Sequence, residues 1–187
     1  MHRLFIAAPV PDEVRRRMAL VQRALEENLA GRAKVKWTRE EGIHLTLAFL
    51  GDTEKECIAP LEAALSEALN PLEPFECRLG QPGWFGPKRS PRVLWVGIRD
   101  TERLCALQKV VADACRAQGF ELEPRPFHPH LTLGRVKGGR DRAAAAHVMK
   151  SEITVPGKVI PVHAVELMES TRTPAGARYE VLKRIAL

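Results

Sequence analysis

The tetrapeptide His-Leu-Thr-Leu occurs twice, at His44–Leu47 and at His130–Leu133. The copies begin 86 positions apart (130 less 44), close to half of the 187-residue chain. Four matching residues alone are weak evidence. Their setting repeats as well: an apolar strand, a helix and then the motif strand. Arg3–Ala8 reads as the first strand. Pro11 and Asp12 open a helix whose Val14, Met18, Val21, Leu25 and Leu29 share one face, and Gly31 stops it. His44–Leu50 alternates as a strand ended by Gly51 and Asp52, with Leu45, Leu47 and Phe49 on one side and His44, Thr46, Ala48 and Leu50 on the other. Further on, Arg92–Ile98 is a strand, Thr101–Gln118 a helix with Leu104, Leu107, Val111 and Cys115 inward, and His130–Val136 the second motif strand.

The intervening segments fill out each half. Lys34–Trp37 is a short strand able to pair with its neighbour. Thr53 with Glu56 has the spacing of a capping box, followed by an apolar stripe of Ile58, Leu61, Leu65 and Leu69. Pro60 inside that stripe calls for a kink or a later start. Phe75, Cys77 and Leu79 alternate. Gln81–Pro91, with three prolines and two glycines, reads as a loop and as the boundary between halves. Arg140–Ser151 is a weaker helical stretch, and Lys158–Glu169 and Tyr179–Leu187 are extended around a polar turn, Ser170–Ala177.

The expected fold class is therefore α+β. A single bilobal domain spans 1–187, built from duplicated split β-α-β lobes of roughly 1–85 and 90–187. Two antiparallel sheets face each other across a central cleft, helices lie outside, and the final strands are open to exchange between lobes. No apolar run approaches the roughly 20 residues of a membrane helix, and Leu4–Val10 is too short and too soon followed by Pro11, Asp12 and Glu13 to be a secretory signal. Cys57, Cys77, Cys105 and Cys115 lack CxxC spacing, which favours buried thiols in a reducing cytoplasm over a disulfide framework or a thiolate zinc site. A net charge of +6 suits either an anionic partner or a solvated basic surface.

Within each motif His and Thr stand two apart, hence on one strand face, with the leucines toward the core. Facing sheets bring two imidazoles and two hydroxyls to one cleft. An imidazole with a reference pKa of about 6.5 serves as acid or base near neutrality. One neutral ring takes a proton from the attacking group while one imidazolium protonates the leaving oxygen. Thr46 and Thr132 can donate to an anion held between the rings. Arg135 joins them only if Gly134 introduces a bulge that resets the alternation or the strand ends there. This set fits in-line displacement at a phosphodiester without a metal or other cofactor. A three-histidine metal site of His44, His128 and His130 is the lesser reading, since no carboxylate completes it and the threonines have no part in it.

His44-Leu-Thr-Leu-Ala-Phe-Leu-Gly51 and His128-Pro-His-Leu-Thr-Leu-Gly-Arg135 resemble the paired HxTx motifs of the 2H phosphoesterase superfamily, and among them the RNA 2′,3′-cyclic phosphodiesterases, also called LigT or 2′-5′ RNA ligases. Arg3-Leu-Phe5, Trp37, Arg92-Val-Leu-Trp95-Val-Gly97, Glu169-Ser170 and Gly176-Ala-Arg-Tyr179 support the resemblance, which runs over nearly the whole chain. Gly42 departs from it, where family members often carry Asn. The resemblance implies hydrolysis of RNA 2′,3′-cyclic phosphate ends to 2′-phosphomonoesters, with reverse 2′-5′ ligation to a 5′-hydroxyl end. It implies His44 as proton donor, His130 as proton acceptor, and Thr46, Thr132 and Arg135 on the phosphate. It further implies RNA substrates, tRNA fragments among them, and a cytoplasmic monomer with no membrane association.

Phe5 and Tyr179 are candidate substrate contacts, with core packing as the plainer role for each. Trp84 and Phe85, beside Lys88 and Arg89, suit either an RNA contact or a pin for the loop between halves. The alternative function is a non-catalytic RNA- or nucleotide-binding module on the same fold.

Overall fold

The computed structural model describes every residue except 139–141, 152–154, 156–157 and 174–175. In chain order the elements are β1 (His2–Ala8), α1 (Asp12–Leu29), β2 (Lys34–Trp37), β3 (Leu45–Thr53), α2 (Ile58–Leu69), β4 (Phe75–Phe85), β5 (Val93–Arg99), α3 (Glu102–Ala117), β6 (His130–Gly138), α4 (Arg142–Ser151), β7 (Val159–Val162), β8 (Ala164–Thr173) and β9 (Gly176–Ala186). The strands form two antiparallel sheets, β3-β1-β8-β9 and β2-β6-β5-β4-β7. β3 and β6, which carry the repeated motifs, approach each other where the two sheets meet.

The sheets do not follow the halves of the sequence. β4 and β2 come from the first half but lie in the second motif's sheet, while β8 and β9 return to the first. The helices cross over too. α1 follows β1 yet packs behind β2 and β6; α3 follows β5 yet packs behind β3. The chain is thus cross-braced, and neither sheet is covered by one half alone. Leu45, Leu47, Leu131 and Leu133 are fully or almost fully buried on the helix-facing sides. Replacing any one by Ala costs ~2–5 kcal/mol, so the motif leucines anchor the strands while the polar residues between them face the cleft.

Several local expectations need correction. The extended segment Lys158–Glu169 breaks at His163 into β7 and β8, which belong to different sheets. Gln81–Phe85 is strand rather than loop, because a register shift between Leu79 and Pro82 absorbs the proline without losing the pairing to β5. β3 runs on to Thr53 through Gly51, whose φ of +77° suits glycine, so Gly51 and Asp52 do not end it. Thr53 therefore bonds the Gly51 carbonyl and caps nothing, and a 3-10 turn over Lys55–Cys57 leads into α2. α2 starts at Ile58, leaving Pro60 in the first turn, where its missing N–H costs nothing. The turn read at Ser170–Ala177 is mostly the β8–β9 hairpin, paired from Thr173 to Gly176; residues 174–175 lie outside the described set, as does Arg140 of the helical stretch realised as α4. Cys77 and Cys115 are buried, with thiols pushed up to about 11 and about 12 by desolvation, whereas Cys57 and Cys105 are exposed.

Candidate active site

Each motif strand carries the same irregularity. Between β1 and β3, Ile6 pairs with Ala48 but Ala7 with Thr46, so Leu47 is an extra residue. Between β5 and β6, Leu94 pairs with Gly134 but Trp95 with Thr132, so Leu133 is an extra residue. A one-residue bulge reverses the alternation beyond it. In β6 it keeps Val136 in the core and turns Arg135 to the side of His130 and Thr132. In β3 it buries Ala48 and turns out Phe49, 59% exposed, contrary to the strict alternation read from sequence. Arg135 and Phe49 thus hold equivalent places on the two motif strands.

A glutamine from the helix behind holds each bulge, one buried and one half-buried. Gln22 of α1, only 8% exposed, donates from Nε2 to the Leu133 and Thr38 carbonyls, both at 2.7 Å. Gln108 of α3 donates to the Leu47 carbonyl at 3.3 Å. The Leu133 carbonyl also accepts from the Thr38 N–H at 2.9 Å, so Gln22 adds a second donor there and ties the bulge to α1. Neither glutamine is visible as functional in the sequence. The one available signal is a polar residue within the inward stripe of a helix, beside Val21 and Leu25 for Gln22 and beside Leu107 and Val111 for Gln108.

The histidines are set from their own backbone. His130 Nδ1 lies 2.7 Å from the carbonyl of His128. A carbonyl only accepts, so Nδ1 carries the proton and Nε2 keeps its lone pair. The Gly42 carbonyl stands at the matching position two residues before His44 and favours its charged form, although Nδ1 there makes no hydrogen bond of good geometry. Burial dominates both rings. Desolvation, with smaller contributions from the charges of His130 and Arg15, lowers the His44 pKa to about 4. His130 is lowered by burial first, with His128 and Arg135 adding to the effect. The charge of His130 reaches His44, in keeping with the contact between β3 and β6 where the two sheets meet. Arg135 acts electrostatically on His130 and, from across the cleft, on Tyr179 of β9.

The two walls differ around those rings. On the first sheet Phe5 and Tyr179 pack on His44 at centroid distances of 4.7 and 5.0 Å, and Phe49 lies 5.9 Å from Phe5. Phe5 is 2% exposed, so it supports His44 from beneath and offers no face to a base; the exposed aromatic there is Phe49. On the second sheet Phe85, Trp95 and His128 surround His130, with Phe85 edge-on at 4.8 Å. Trp84 turns the other way, packing against the core beneath Lys150 of α4. Among the described residues no three His, Cys, Asp or Glu side chains cluster as metal ligands would.

A family model described as "2'-5' RNA ligase superfamily" matches residues 10–174. The chain belongs to the 2′-5′ RNA ligase superfamily. A superfamily relative from Thermotoga maritima named RNA 2',3'-cyclic phosphodiesterase is 32% identical over 180 residues, covering 96% of this chain and 92% of that one. A protein of the same name from Methanothermobacter thermautotrophicus is 33% identical over 177 residues, covering 95% and 94%. Among solved structures, E. coli LigT complexed with 3'-AMP aligns with a TM-score of 0.74 at 29% identity, covering 100% of this chain and 98% of that one. TT0787 of Thermus thermophilus aligns at 0.77 with 29% identity, covering 99% and 97%. Within the superfamily resemblance, the departure at Gly42 now has a structural consequence. A Cβ there would lie 3.1 Å from Tyr179 Cε2, so the bare backbone lets the tyrosine close over His44.

Proposed function

We propose that this protein hydrolyses 2′,3′-cyclic phosphate ends of RNA to 2′-phosphomonoesters, with His130 as base and His44 as acid. The observation that carries the reading is the matched pair of imidazoles, each seated beside the carbonyl two residues before it, on bulged strands that meet at one cleft. The neutral His130 Nε2 accepts a proton from water as its oxygen attacks phosphorus. His44 delivers a proton to the departing 3′ oxygen. Thr46 and Thr132 donate to the non-bridging oxygens, and Arg135 adds a fixed positive charge where negative charge develops. None of these roles needs a metal.

His44 at about 4 is neutral in the empty enzyme near neutral pH. A bound phosphodiester anion opposes that, because a negative charge beside a desolvated imidazole favours its protonated form. Substrate thus helps create the acid that reacts with it. The same steps run in reverse, with an RNA 5′-hydroxyl replacing water, give a 2′-5′ linkage. RNA fragments with such ends, tRNA fragments among them, are the substrates this reading names, handled by a cytoplasmic monomer.

The test is hydrolysis of a nucleoside 2′,3′-cyclic phosphate in excess chelator, with phosphorus NMR to assign the product. A 2′-monophosphate at full rate supports the proposal. Binding of RNA without turnover of any cyclic phosphate supports the non-catalytic alternative instead.

A further inference from the structure

The second motif strand has a neighbour that the first lacks. β3 is the edge of its sheet, whereas β6 is flanked by β2. In β2, Val35 and Trp37 pack toward the core, which leaves Lys34 and Lys36 exposed on the opposite face, the face of Arg135. Lys36 pairs directly with Arg135 and Lys34 with Gly138, while Lys137 is exposed on β6 itself. Four cations therefore adjoin, beginning at the proposed phosphate site. Like charges directly opposite each other on antiparallel strands are destabilising. Among the described residues no carboxylate pairs with any of the four. Lysines on an edge strand also discourage sheet-to-sheet pairing, but that purpose does not require them to line up with Arg135.

We infer that Lys34, Lys36 and Lys137 form a phosphate ladder that holds the single-stranded RNA body behind the reacting end, continuing from Arg135. This rests on the cyclic phosphodiesterase reading above. Strand geometry sets Lys36 about 5 Å from Arg135 across the sheet and Lys137 about 7 Å along β6, where Lys137 is the extra residue of a register shift opposite Lys34 and Val35; this scale matches successive phosphates of a nucleotide chain. The ladder is exposed and salt-accessible, so it contributes through release of counterions and reads no bases. It makes the enzyme prefer an RNA end to a free cyclic mononucleotide.

The experiment compares the wild-type protein with the Lys34→Gln, Lys36→Gln double variant, whose exposed positions leave the core untouched. Fluorescence anisotropy measures binding of a labelled single-stranded hexanucleotide ending in a 2′-phosphate across a salt series. A nucleoside 2′-phosphate, which has no further phosphate for β2 to hold, is the control. Two lost contacts should reduce the slope of log affinity against log salt by about 1.4 and weaken hexanucleotide binding roughly tenfold at low salt, with mononucleotide affinity unchanged. Equal affinity and slope in the two proteins would overturn the ladder. So would a wild-type protein that binds the hexanucleotide no tighter than the mononucleotide. Turnover of a cyclic mononucleotide, measured alongside, tests the chemistry separately: its absence together with the slope change would sink the hydrolysis reading and leave the ladder standing.

Discussion

β3 and β6 are the same device built twice and then made unlike. Both carry a buried Leu-x-Leu, a bulge at the second leucine, a glutamine on that bulge from the helix behind, and a histidine beside the carbonyl two residues back. Beyond the bulge one presents Phe49 and the other Arg135. One histidine packs against Phe5 and Tyr179 and is the more strongly lowered; the other has a firm hydrogen bond to its carbonyl. The shared features are what an in-line displacement requires on both sides of phosphorus. The differences give the cleft a direction, with the proposed acid in the drier, more apolar wall and the proposed base in the cationic one.

The largest effect should come from the histidines. His44→Ala and His130→Ala are each expected to lower kcat by about 10²- to 10⁴-fold on a cyclic mononucleotide, with circular dichroism unchanged. Their double variant should lose little more than either alone, since the two act as a unit. Additive losses would mean that the rings serve separate steps.

The equivalent positions beyond the bulges come next. Arg135→Ala should lower kcat/KM by about 10²-fold, in keeping with loss of a charged donor at developing negative charge. Phe49→Ala should change KM by only a few-fold, as expected of an aromatic surface that a base covers. Equal losses would erase the proposed direction of the cleft.

The glutamines provide a finer test. Gln22→Met removes two short buried hydrogen bonds and should cost about 1–3 kcal/mol in urea unfolding. It should also blunt Arg135: in a double-mutant cycle the two losses in kcat/KM should not add. Gln108→Met, with one longer bond and a half-buried side chain, should cost about 1 kcal/mol or less and show no coupling to Arg135. The smallest change is Gly42→Ala, a buried position whose Cβ would stand 3.1 Å from Tyr179 Cε2; the ring need give way only slightly, so KM should move little.

Much of this was legible in the residues themselves. The repeated His-Leu-Thr-Leu needs only the period of a strand to place an imidazole and a hydroxyl on one face of each motif strand. The helices followed from their apolar stripes. The bulge at Leu47 was hidden, because it is held by Gln108, 61 residues away, rather than by any local signal. The break at His163 was hidden for a similar reason. Two extended segments read as one until their partners, β4 for β7 and β1 with β9 for β8, are known. Of the two roles open to Phe5 the packed one holds, and the sequence could not decide it because the burial depends on His44, Phe49 and Tyr179 converging from β3, its flank and β9.

The central claim is that one anion lies between the two imidazoles and raises both. Nitrogen-15 NMR titration of the histidine rings, with and without a saturating nucleoside 2′-phosphate, tests it most directly. In the free protein His44 should titrate near 4 and His130 below its ordinary 6.5, and both should move upward when the nucleotide binds. A bound nucleotide that leaves either ring's titration in place would contradict the account.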